Sequence, residues 1–210
     1  MRVVLPSRVR LVLYVVFLAA MALFVAACAV QGSRPTVTIT GNILTPTPAI
    51  EFALHDQLGG TFRLSDQRGK VVLLFFGYTT CPDVCPTTLA EWRQVRAALG
   101  KDAERVQFVF VTVDPERDTP MRMQDYLAHF DKDFIGLTGT PDELEAVYEA
   151  YKVYHRKVEL KDSPLGYLVE HSASTRVVDP RGFQHAPISF GVKPDDVVRN
   201  IRQLLKESIS

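Results

Sequence analysis

The chain has 210 residues, 24 basic against 24 acidic side chains, 47% hydrophobic residues and three cysteines. The even charge balance, with no basic run, argues against a nucleic-acid-binding surface. Three cysteines in a chain of this length exclude a disulfide-stapled scaffold, and the length suits one domain behind a leader.

Arg2, Arg8 and Arg10 make a basic start, and Leu11 to Val30 is then 20 residues without a charge. That length could span a bilayer, and it also fits a signal peptide. The run ends Val25-Ala26-Ala27-Cys28, which looks like a lipobox with Cys28 as the lipidated residue. An uncleaved transmembrane anchor is the other reading. Both place the remainder at the cell membrane, tethered, on the extracytoplasmic side. Residues 1–27 are thus read as signal peptide or anchor, and without them 21 basic and 24 acidic residues remain, a net charge of −3. Residues 28–49, with Pro35, Pro46 and Pro48 among threonines, read as a flexible tether. Residues 50–210 read as the folded domain.

Phe52 to Leu54 and Thr61 to Leu64 flank Gly59-Gly60 and predict a small N-terminal hairpin. Val71 to Phe76 is a continuous apolar run, as in a buried central strand. Pro86 suits a helix N1 position; Leu89, Trp92, Val95 and Leu99 recur at helical spacing, and Gly100 is a plausible stop. Val106 to Val113 is a second buried strand, followed by the loop Asp114 to Thr119 and a helix from Pro120. Thr140-Pro141-Asp142-Glu143 is a capping box that opens a helix to about Tyr151. A strand over Val153 to Val158, strands at Thr175 to Val178 and Phe183 to Ser189 around Asp179-Pro180-Arg181-Gly182, and a last helix from Pro194 complete the chain. The order β-β-β-α-β-α-α-β-β-β-α suggests a three-layer α/β sandwich with an N-terminal hairpin extension.

The chemistry centres on Cys81 and Cys85, where a strand delivers two thiols to a helix N-terminus. Unpaired N–H groups and the helix dipole favour thiolates there. The spacing is C-x3-C, not the C-x-x-C of a redox pair. Two converging soft thiolates suit Cu(I) or Zn(II), and two need a third ligand from elsewhere. Of the five histidines, His171 is the strongest candidate, in a loop entering the strand that begins near Thr175. His55, His129, His155 and His185 read as structural or surface residues.

Phe76-Gly77-Tyr78-Thr79-Thr80-Cys81-Pro82-Asp83-Val84-Cys85-Pro86 resembles the signature of the SCO/SenC family of copper chaperones. Thr112-Val113-Asp114-Pro115-Glu116-Arg117-Asp118-Thr119-Pro120 resembles that family's second loop, and Glu170-His171-Ser172 with Asp179-Pro180-Arg181-Gly182 its third. The resemblance covers Ile50 to Leu205. It implies a thioredoxin-like fold and copper held by Cys81, Cys85 and His171. Cu(I) is favoured, with Cu(II) also admissible. It further implies a metallochaperone rather than an enzyme. Its partner would be the copper-bearing subunit of cytochrome c oxidase, whose binuclear copper (CuA) centre such proteins help assemble by delivering copper or reducing the receiving thiols. Where the family often carries an aromatic residue after the histidine, this chain has Thr175-Arg176.

A thiol–disulfide oxidoreductase acting on an extracytoplasmic cysteine pair is the main alternative, with Cys81 attacking and Cys85 resolving. The wider spacing, and the lack of a proline at or next to His171, weigh against it. A thiol peroxidase fails on the residues around both cysteines. A structural zinc site would be one ligand short. Asp83 reads either as a turn residue at the helix start or as a group behind the ligands that tunes them. Asp114, Glu116, Arg117 and Asp118 read as a solvated loop or, on the resemblance, a docking element. Tyr78 is expected beside the metal loop and Trp92 in the core.

Overall fold

The computed structural model describes residues 45–161 and 163–208. The leader, Cys28 and most of the expected tether lie outside the described residues. Among the described residues no helix is long and apolar enough to cross a membrane.

The strands are β1 (Thr47–Pro48), β2 (Ala53–Asp56), β3 (Thr61–Arg63), β4 (Val71–Gly77), β5 (Val106–Thr112), β6 (Ile135–Thr138), β7 (His155–Glu159), β8 (Tyr167–His171), β9 (Thr175–Val178) and β10 (Phe183–Ile188). The α-helices are α1 (Val84–Leu99), α2 (Pro120–Ala128), α3 (Pro141–Ala150) and α4 (Pro194–Glu207). Eight strands form one sheet in the order β1-β10-β9-β4-β5-β6-β2-β3. Its centre, β4-β5-β6, is parallel, and antiparallel strands flank it on both sides. β7 and β8 form a separate two-stranded hairpin.

β4 reads VVLLFFG and is buried at every position, as a strand covered on both faces must be. Phe75 and Phe76 point to opposite faces. Phe75 meets Trp92 of α1 and Phe110 of β5, whose ring in turn meets Tyr126 of α2. Phe76 meets Tyr148 and Tyr151 at the end of α3. Helices therefore cover both faces, giving the expected three layers. The expected hairpin also forms, as β2 paired to β3. It is no loose extension, since β2 joins the main sheet through β6.

Local rules hold at the helix ends. Thr140 and Glu143 make the reciprocal capping box, with Pro141 in the first turn. Gly100 ends α1 at a φ of 58°, where a side chain would be strained. α1 starts at Val84, so Pro86 is the third helical residue, still among those whose N–H lacks an intrahelical partner. Thr47–Pro48, inside the stretch read as tether, pair with Gln184 and Phe183 of β10.

Besides β1, strands β6 and β8 have no counterpart in the sequence reading. β6 is Ile-Gly-Leu-Thr, too short and too interrupted to read as apolar. A Cβ on Gly136 would lie 2.8 Å from Leu127 Cδ1 and 3.3 Å from Met123 Cβ, so the glycine lets α2 pack onto the strand. β8 ends in His171, which was expected in a loop before β9.

Candidate metal centre

Cys81 lies in the turn between β4 and α1, where its N–H donates to the Tyr78 carbonyl at 3.2 Å. Cys85 is the second residue of α1 and fully buried; Cys81 is half-buried. The two therefore do not share a helical face, as i,i+4 spacing alone would suggest, because the helix starts after Cys81. The turn brings the thiols together instead. Both are free.

His171 Nε2 lies 3.4 Å from Cys85 Sγ and 4.0 Å from Cys81 Sγ. The three donor atoms fall within 4.8 Å of one another, and this is the one such cluster of His, Cys, Asp or Glu among the described residues. Metal–sulfur and metal–nitrogen bonds of roughly 2.0–2.3 Å put the donors of a three-coordinate site roughly 3.5–4 Å apart. The two sulfur–nitrogen separations, 3.4 and 4.0 Å, fit that figure.

His171 Nδ1 lies 3.1 Å from the Ser172 carbonyl, which can only accept. Nδ1 therefore carries an N–H toward this carbonyl, and Nε2 is the ring nitrogen that faces the thiols. The ring is held edge-on by Phe75 at 5.8 Å and Tyr78 at 5.7 Å. Tyr78 thus stands where expected, and Trp92, 4% exposed, is core.

The two thiols differ. The hydrogen bond from the Cys85 thiol, helped by His171 and by the N–H groups of Asp83 and Cys85, outweighs burial and holds Cys81 well below the usual thiol range. Burial, then the neighbouring Cys81 sulfur, pushes Cys85 up. Without a metal the pair shares one proton, carried by Cys85, with the thiolate on Cys81. A cation would replace that proton.

Asp83 caps α1 in position only: its side chain is exposed and makes no cap hydrogen bond. Its backbone N–H, rather than its carboxylate, is the group that reaches Cys81. The other histidines stand apart. His55 is exposed in β2, and His129 is exposed at the end of α2. His155 packs on Tyr148 beside Glu145, and His185 is buried against Asp179.

The loop after β5 departs from the sequence reading. Asp114 and Asp118 are fully buried, so neither faces solvent nor a docking partner. Asp118 accepts from Thr79 Oγ1 at 2.6 Å, from Thr112 Oγ1 at 2.7 Å and from the Thr79 N–H. Burial nonetheless raises its pKa. Glu116 does reach solvent, where it pairs with Lys157 at 2.6 Å.

The SCO1/SenC family model matches residues 43–206. An SCO2-like protein of Rickettsia felis is 38% identical over 132 residues, which cover 63% of this chain and 64% of that protein. The chain thus spans somewhat under two thirds of the length of the Rickettsia relatives it matches. The structure of Bradyrhizobium japonicum ScoI with copper bound is 40% identical, with a TM-score of 0.69, covering 75% of this chain and 99% of that one. Yeast Sco1 with copper bound is 31% identical, with a TM-score of 0.68, covering 77% of this chain and 90% of that one. The three-layer domain is the thioredoxin-like fold of these neighbours. Three motif loops in the right order, the cluster they build and these relatives agree: the chain belongs to the SCO1/SenC family.

Proposed function

We propose that the protein is a membrane-tethered copper chaperone that binds one copper through Cys81, Cys85 and His171. On this reading it serves assembly of the binuclear copper centre of cytochrome c oxidase. The observation that carries the proposal is Nε2 of His171 aimed at two thiols, in a donor set of two sulfurs and one nitrogen. That set is soft and suits Cu(I), and two thiolates leave the loaded site with one net negative charge. The copper bound in two similar structures supports copper over zinc. Three ligands leave room for an incoming thiol, and half-buried Cys81 is the ligand an acceptor can reach. Transfer is ligand exchange: the acceptor thiol loses its proton as its sulfur bonds copper, and a departing Cys sulfur regains one. A Cys81–Cys85 disulfide, formed when the thiolate–thiol pair gives two electrons and its one proton to an acceptor disulfide, would remove two of the three ligands and switch binding off. The leader read over residues 1–27 supports the tether, with Cys28 as its lipidated end.

The second reading, a thiol–disulfide oxidoreductase, is favoured by the unequal thiols, an accessible thiolate at Cys81 and a buried thiol at Cys85. One experiment separates the two. Copper per chain is measured on the detergent-solubilised protein and on Cys81→Ala, Cys85→Ala and His171→Ala. About one copper per chain, lost in all three variants, supports the chaperone. Undiminished copper in His171→Ala overturns the ligand set. Strong reduction of insulin disulfides without copper retention supports the oxidoreductase.

A further inference from the structure

The cysteines and His171 reach the site from different supports. Cys81 and Cys85 belong to the main body through β4 and α1. His171 ends β8, in a two-stranded hairpin that, among the described residues, pairs with no strand of the main sheet. Such a hairpin is marginal alone, so something must fix it. β8 alternates with a period of two, which puts Tyr167, Val169 and His171 on one face. Val169 is buried there. Tyr167, four residues and roughly 13 Å before His171, is the other fixed point.

The side-chain hydrogen bonds that fasten Tyr167 to the main body come from the loop after β5. Tyr167 OH donates to Asp114 Oδ1 at 2.7 Å. The Arg117 guanidinium lies 3.7 Å from the centre of the Tyr167 ring. Its Nη1 donates to the carbonyls of Leu165 at 3.1 Å and Tyr167 at 3.0 Å, while Nε bonds Asp114 Oδ2. Lys157 of β7 covers the ring at 4.9 Å and pairs with Glu116 of the same loop. The other end of the loop holds the cysteine side, because Asp118 grips Thr79, two residues before Cys81. A single five-residue loop thus ties the thiols at one end and the histidine strand at the other.

We infer that Arg117 is a positioning residue for the copper site, and that the loop Asp114 to Asp118 is the spacer that sets His171 against the cysteine pair. The inference rests on the copper reading above. Lysine could keep the charge. It could not stack a planar cation on Tyr167 while donating to two carbonyls and a carboxylate.

The test is Cu(I) affinity of the whole detergent-solubilised chain, by competition with a chromophoric Cu(I) chelator. It compares wild type, Arg117→Lys, Arg117→Ala, His171→Ala and the Arg117→Ala/His171→Ala double variant. A group that orients a ligand typically costs at least about tenfold in metal affinity when removed. Arg117→Ala is expected to weaken Cu(I) by about that factor, with Arg117→Lys weakened in the same direction. Arg117 also lies 5.7 Å from the centre of the Tyr78 ring in the cysteine loop, so the double variant separates the two routes: if Arg117 positions His171, the further change vanishes in the His171→Ala background. A merely structural role would lower affinity in both backgrounds alike, and that result overturns the inference. So does wild-type affinity in both Arg117→Ala and Arg117→Lys. If Arg117→Ala does not fold, Arg117→Lys with and without His171→Ala decides in the same way. Wild-type affinity in His171→Ala brings down the ligand set and the inference together. Loss in His171→Ala without loss at Arg117 brings down the inference alone.

Discussion

Tyr167 and His171 stand on one face of the same short strand, the first clamped by Arg117 and Asp114, the second facing two thiols. Their shared strand makes the histidine's position depend on contacts formed far from the donor atoms.

Tyr167→Phe isolates one of those contacts. It keeps the ring between Arg117 and Lys157 and removes the hydroxyl that donates to the buried Asp114. A hydrogen bond to a charged, buried acceptor contributes about 1.5–3 kcal/mol. Unfolding by urea should show a loss in that range with an unchanged slope. A stability equal to wild type would mean that Asp114 finds another donor.

Gly77→Ala addresses the thiol side. A Cβ at this position would lie 2.8 Å from Cys85 Sγ and 2.9 Å from both the Phe75 and Phe110 rings. None of these can yield easily, because Cys85 is fixed in α1 and both rings are buried. Overpacking of this kind costs about 1–3 kcal/mol. The displaced sulfur should also lower copper affinity, unlike a loss of stability elsewhere in the sheet. Chelator competition alongside urea unfolding reads both effects, and copper affinity unchanged from wild type would show that Sγ keeps its place.

Much of this was legible in the chain. The unbroken run Val71 to Phe76 identified the central strand, and Thr140 to Glu143 identified a helix start, because both signals are local. The cluster of Cys81, Cys85 and His171 was legible because the cysteines and histidine sit in recognisable motifs. The strand that holds His171 was not. On its inner face Tyr167 and His171 take places that a plain strand gives to apolar residues, leaving Val169 as the lone aliphatic one. The loop Asp114 to Thr119 misled for a different reason. Its charges look solvated in sequence, but Tyr167 and Thr79, 53 and 39 residues away from their carboxylate partners, bury them. Composition carries no trace of such long-range pairing.

The unequal thiols predict an order of reaction. Cys81 is half-exposed and favours the thiolate; Cys85 is fully buried and favours the thiol. Iodoacetamide reacts with thiolates. In metal-free, reduced protein it should therefore label Cys81 first, and the rate should hold down to mildly acidic pH, where an ordinary thiol would slow. Peptide mapping by mass spectrometry at pH 5.5 and pH 8 gives both rates. Equal labelling of the two cysteines would refute the shared-proton arrangement. Saturation with Cu(I) should protect both.

Asp179 governs acid stability away from the site. It is buried in the turn between β9 and β10, with its side chain 1% exposed. Oδ1 accepts from the N–H groups of Arg181 and Phe183, each at 2.9 Å, and Oδ2 from Arg181 Nη2 at 2.8 Å and His185 Nε2 at 3.2 Å. Burial opposes ionisation here, yet the hydrogen bonds from His185, Phe183 and Arg181 outweigh it and hold the carboxyl well below the usual range. The unfolded chain therefore binds the proton first as the pH falls, near the ordinary carboxylate value of about 4. The stabilisation is complete above that value and drains away below it, toward the lower folded pKa. Asp179→Asn cannot ionise, and its amide presents N–H where two donors already point. At pH 7 it should cost about 2–3 kcal/mol. The gap between wild type and variant should narrow steadily from about pH 4 to pH 2. Urea unfolding across that range measures it. A gap that stays constant with pH would mean that the ionised carboxylate is not what holds the turn.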